Sequence, residues 1–147
     1  MSTIRTILER KGSNFWFIEP DATVLQTVQR LHAKRIGALV IMDGDRLAGI
    51  FSERDFVRLM AERGTACLDQ PVGEVMTSQV FVVKPSTTVD ECMALMADKQ
   101  IRHVPVMDGK QILGIVSNRD VVVEAIAHRE SLLTGMDVLI ANHEFPT

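Results

Sequence analysis

A chain of 147 residues with a formal charge of −3 suits one domain or two small units sharing a core, and its 46% hydrophobic content is that of a folded protein. Basic and acidic residues are interspersed, which argues against a broad nucleic-acid surface but leaves room for a small anionic ligand. No apolar run approaches the ~20 residues that cross a bilayer, and Met-Ser-Thr-Ile-Arg-Thr has no signal-peptide character, so the expected setting is cytoplasmic, with no membrane partner.

In chain order, residues 2–11 predict a short leading helix. "FWFIE" (15–19) is a short apolar strand stopped by Pro20. "TVLQTVQRLHAKR" (23–35) then spaces apolar residues three and four apart behind a threonine fit to cap a helix. "ALVIM" and "LAGIFS" flank an Asp-Gly pair, a hairpin signal, and "ERDFVRLMAERG" continues as a helix. Residues 64–74, "GTACLDQPVGE", read as a linker that holds Cys67. The succession then returns as strand "VFVV" (80–83), helix "TVDECMALMADKQ", strands "HVPVM" and "ILGIVS", and helix "NRDVVVEAIAHRE". Cys92 shares a helical face with Val89, Met93 and Met96 and reads as a buried apolar residue. Two such cysteines make neither a disulfide framework nor a metal cluster.

The return is a duplication. Shifted by 65 residues, 17–64 lies over 82–129 without a gap, with "GIFSERD" (49–55) over "GIVSNRD" (114–120). Each copy reads β-α-β-β-α, an α/β unit too small to be robust alone. Packing the two sheets together about an approximate two-fold axis is the economical solution, and it leaves two related clefts. The division expected is residues 1–70 for the first repeat with its leading helix, 71–131 for the second, and 132–147 as a tail.

From spacing alone, Ser52/Asp55 and Ser117/Asp120 read first as helix capping boxes, in which each side chain satisfies a backbone N–H. Exposed N–H groups at such helix starts also favour phosphate. Arg54 and Arg119, beside the acids, suit either a solvated face or a phosphate. Thr77 suits either a turn or a phosphate contact. Phe15, Trp16, Val80 and Phe81 suit the core first and an adenine pocket second. Arg102 and His103 precede a strand, so alternation sends their side chains to opposite faces and one of them away from any single ligand. His32, His128 and His143 read as structural. Metalloprotease, Cys-x-x-Cys, phosphate-loop and nucleophile-elbow motifs are all missing, so no enzyme is expected, and no metal or catalytic cofactor.

The element order, "IRHVPVMDG" before a hairpin, and Gly-apolar-x-Ser-x-x-Asp entering the last helix resemble the cystathionine-β-synthase (CBS) domain. Two in tandem resemble the CBS-domain pair, over about residues 4–129. The resemblance implies adenosine-containing ligands (AMP, ADP, ATP, NAD or S-adenosylmethionine) in the clefts. It implies that Asp55 and Asp120 hold ribose hydroxyls, that Ser52 and Ser117 face ribose or phosphate, and that Arg102 and His103 face phosphate. Repeat one departs, with Gly37 and Ala38 at the last two positions, which sets the two clefts apart. The resemblance also implies half a disc completed by a second pair, and Phe56, Val57, Leu59, Met60, Val121, Val122, Val123, Ala125 and Ile126 offer the apolar cover for a homodimer. The function expected is a regulatory sensor with an unidentified protein target. The alternatives are a ligand-independent interaction module and, less favoured, a small nucleotide hydrolase.

Overall fold

The structure, a computed structural model, describes residues 2–127 and residue 141; His128, His143 and the rest of the tail lie outside the described residues. Helix α1 (Ile4–Lys11) precedes strand β1 (Phe17–Ile18), helix α2 (Val24–Lys34), strands β2 (Ala38–Asp43) and β3 (Arg46–Ser52), and helix α3 (Glu53–Arg63). A 3-10 helix (Gly64–Asp69) and the single-turn α4 (Val72–Val75) lead to α5 (Val89–Lys99), β4 (His103–Asp108), β5 (Gln111–Ser117) and α6 (Asn118–Ala127). No described helix is long and apolar enough to cross a membrane.

The duplication extends to the hydrogen-bond register. Ala38 faces Ser52 in one hairpin and His103 faces Ser117 in the other; both slip by a residue, after Ile41 and after Val106. Each turns through a glycine with positive φ, Gly44 at 61° and Gly109 at 60°, a conformation glycine adopts without a Cβ penalty. Strand β1 runs parallel to β2.

The strand expected over 80–83 does not form. Only Val83 bridges β4, at Val106. Upstream, Thr77 exchanges backbone hydrogen bonds with Ile50 of β3, at 2.9 and 3.0 Å. The segment between must therefore cross from one repeat's sheet to the other's and can pair with β4 only at its end, and Phe81 and Val82 remain exposed. The expected linker is also more structured than its polar composition suggests. It supplies the 3-10 helix and α4, and Cys67 and Val72 are fully buried in the core of repeat one. Cys92 is buried as expected, and burial pushes its thiol up to about 11.

The core is two clusters, each completed by the short helix that precedes the other repeat. Val72 of α4 packs with Ile18, Leu39 and Phe51, whereas Ile4 and Ile7 of α1 pack with Val89, Val104 and Val116. The backbone repeats the exchange. Val72 and Gly73 donate to Ala22 and Pro20 of repeat one, and Ile4 and Arg5 donate to Thr87 and Pro85 of repeat two. On the outer helices, Leu59 and Val121 are buried, but Val57, Val122, Val123 and Ile126 stay exposed.

Candidate functional site

Both copies of the motif form reciprocal caps. Ser52 N–H donates to Asp55 Oδ2 at 2.9 Å while Asp55 N–H donates to Ser52 Oγ at 3.1 Å, and Ser117 and Asp120 repeat this at the same two distances. A cap occupies one carboxylate oxygen of each acid. Beyond the cap, Asp55 meets Arg58 through its other oxygen, Oδ1, whereas Asp120 receives Lys11 on Oδ2, the oxygen that already accepts the cap.

Asp55 opens on a cavity of about 910 Å³ between the repeats, within the ~300–1,000 Å³ of small-molecule sites. Repeat one contributes Gly37, Ile50 and the start of α3, from Ser52 through Arg58; repeat two contributes Thr77 and the stretch from Lys99 to His103. Its lining includes Arg54, Arg58 and Arg102 against Glu53 and Asp55, and Lys99, whose ammonium pairs with Asp98 at 3.4 Å. Arg58 pairs with Asp55 Oδ1 at 2.7 Å, but its side chain is 66% exposed and free to re-aim at small cost. Arg54 donates to the Gln100 carbonyl at 3.2 Å, tying α3 to the turn that carries Arg102.

Arg102 and His103 line the same cavity, contrary to the alternation expected of them. Strand β4 starts only at His103; Arg102 belongs to the bend that follows Gln100, whose φ is 54°, so strand geometry does not govern it. The half-buried His103 lies against Gly37. A Cβ built on Gly37 would stand 2.9 Å from both Glu53 Oε1 and His103 Cε1. The glycine that replaces Arg102 in repeat one thus makes the room for His103. Burial lowers the pKa of His103 from its ordinary value, with the Glu53 and Asp120 carboxylates pulling it partly back.

Asp120 is engaged instead by the leading helix. Lys11 Nζ donates to Asp120 Oδ2 at 2.7 Å and to the Ile115 carbonyl at 3.0 Å. Burial works to raise the Asp120 carboxyl, but the hydrogen bonds from Lys11 and from Ser117 outweigh it and hold the group below its ordinary value.

The structure thus brings Ser52, Arg54, Asp55, Thr77, Arg102 and His103 around one cavity. It does not bring Val80, Ser117, Arg119 or Asp120 into that lining; Val80 is half-buried beside it in sequence, and Arg119 is exposed on α6. Sequence reasoning missed Arg58, Lys99 and Lys11. Arg58 sits one turn beyond Asp55 and could have been read from that spacing. Lys99 matches Lys34 under the 65-residue shift, and each lies over a ring, Phe81 and Trp16 respectively. Among the described residues no cluster of His, Cys, Asp and Glu could hold a metal ion.

Two similar units, each capped at a Gly-Ile-x-Ser-x-Arg-Asp turn and completed by an exchanged helix, define a tandem-repeat architecture with a cavity between the repeats. The family model described as the CBS domain matches residues 6–62 and again 72–126, so the chain belongs to the CBS domain family, as a pair. It is 35% identical over 141 residues to the mitochondrial CBS domain-containing protein CBSX3 of Arabidopsis thaliana, covering 89% of this chain and 68% of that one. The crystal structure of a CBS-domain containing protein from Agrobacterium tumefaciens superimposes with a TM-score of 0.83 at 36% identity, over 85% of this chain and 100% of that one. More distant in sequence, CBSX2 in complex with AMP shares the fold at 23% identity, TM-score 0.73, over 86% of this chain and 98% of that one. The CBS domain pair of protein MJ0100, in complex with 5'-methylthioadenosine and S-adenosyl-L-methionine, does so at 21% identity, TM-score 0.77, over 88% and 99%.

Proposed function

We propose that this chain is a regulatory module that binds an adenosine-containing nucleotide in the Asp55 cleft and passes on its occupancy through changed shape or partner contacts. The observation that carries the reading is the composition of one cavity, in which a carboxylate from repeat one faces a basic group of residues from repeat two. A vicinal ribose diol offers two donors and a carboxylate accepts both. Asp55 takes the ribose, releasing Arg58, while Arg54, Arg102, His103 and the Thr77 hydroxyl meet the phosphates and the Ser52 hydroxyl lies between the two. The excess of arginines over acids in the lining favours AMP, ADP, ATP or NAD over the cationic S-adenosylmethionine. The adenosine compounds held by the distant relatives support the adenosine moiety. A cytoplasmic setting belongs to the same reading, and no catalytic residue does.

The exposed Val57 on α3 and Val122, Val123 and Ile126 on α6 favour a second element of the reading, a homodimer that covers both outer helices. A ligand-independent interaction module would share that dimer and differ only in the cleft. Thermal melting of ligand-free protein separates them. A ligand at a hundred times its dissociation constant adds ~2.7 kcal/mol, which raises melting by on the order of 5–15 °C. Adenine nucleotides and NAD are expected to give this shift and cytidine nucleotides are not. No shift with any adenosine compound would leave the interaction module standing.

A further inference from the structure

Helices α1 and α4 play matching parts on opposite repeats, but α1 has eight residues where α4 has four. The difference is about one turn, and that turn ends in Arg10 and Lys11. Lys11 holds the Asp120 carboxylate, as described above. Arg10 pairs with the carboxylate of Glu124, and its second terminal nitrogen lies 3.5 Å from the Asp120 carbonyl. Glu124 is buried at a position where repeat one, 65 residues earlier, buries Leu59 in an apolar core. A carboxylate taken out of water needs a cation against it, so Glu124 holds Arg10, and with it the end of α1, over the start of α6. The extra turn and the charged core position thus answer each other. Where repeat two offers Arg102 and His103 to the Asp55 side, repeat one has only Gly37 and Ala38.

We propose that the chain's own leading helix closes the Asp120 side, the Lys11 ammonium sharing Oδ2 with the cap and neutralising the carboxylate a second ligand would need, so that each chain takes one nucleotide, on the Asp55 side. This rests on the reading that the Asp55 cleft binds nucleotide, and the experiment separates the two. Calorimetric titration of the full chain with AMP should give one equivalent, and Lys11→Met should admit a second. Two equivalents in the parent, or a count that Lys11→Met leaves at one, would overturn the closure. If AMP does not bind at all, the functional reading falls and carboxyl-carbon NMR still judges the plug. Lys11→Met should move the Asp120 titration midpoint upward, while Arg10, at the Asp120 carbonyl, and His103 are retained. An unmoved Asp120 midpoint would overturn the closure whatever AMP does.

Discussion

At the scale of single residues, Asp55 has two duties that the structure keeps on different oxygens: Oδ2 caps α3 and Oδ1 meets the exposed Arg58. Ser52→Ala removes only the hydroxyl half of the cap. It should cost ~0.5–2 kcal/mol, read as a melting point lower by a few degrees. His103 gives a pH test. Its folded pKa lies below the ordinary 6.5, chiefly through burial, so as pH falls the unfolded chain takes up the proton first. The folded state should then lose stability as pH drops below ~6.5, and His103→Gln should remove that part of the slope in urea melts across pH 5 to 8. A bound phosphate reverses the preference, so saturating AMP is expected to raise the His103 midpoint in NMR titration. The cap was legible in the sequence because Ser-x-x-Asp spacing alone dictates it. That Arg102 joins His103 was not, because Arg102 lies in the bend before β4, after a left-handed Gln100, where strand alternation does not apply.

At the scale of elements, the glycine of each motif marks where a segment of the other repeat crosses. A Cβ on Gly49 would collide with the Met76 side chain and come within 2.7 Å of the Thr77 carbonyl, and backbone cannot move aside as a side-chain tip can. Gly114 has more room, its nearest neighbour being Leu8 Cδ2 at 3.1 Å. Gly49→Ala should therefore destabilise by ~1–3 kcal/mol, and Gly114→Ala by less, in matched denaturant titrations. The same crossing explains what the sequence hid. Helices and hairpins were readable because their apolar spacing, threonine caps and Asp-Gly turns are local. Residues 80–83 look like a strand locally, but Thr77 is already bonded to Ile50. Cys67 and Val72 sit in a polar stretch and enter the core because the chain after α3 folds back onto repeat one.

At the scale of the molecule, duplication has produced two equivalent frameworks with unlike surroundings at Asp55 and Asp120. The shared register, caps and bulges come from the copied sequence; the difference comes from a turn of helix and a few exchanged side chains around it. Burying the outer faces of α3 and α6 against a second copy should make the protein a dimer at micromolar concentration by light scattering. Val57→Asp with Val123→Asp should shift it toward monomer. The cleft itself is tested most directly by calorimetry of Asp55→Asn beside the parent. If Asp55 holds the ribose, Asn keeps the shape and one acceptor but loses charge-strengthened hydrogen bonds worth ~1.5–3 kcal/mol, and AMP affinity should fall by roughly 10- to 100-fold in protein that still folds. A folded Asp55→Asn protein that binds AMP as tightly as the parent would contradict the assignment and leave Ser52 and Asp55 as a helix cap alone.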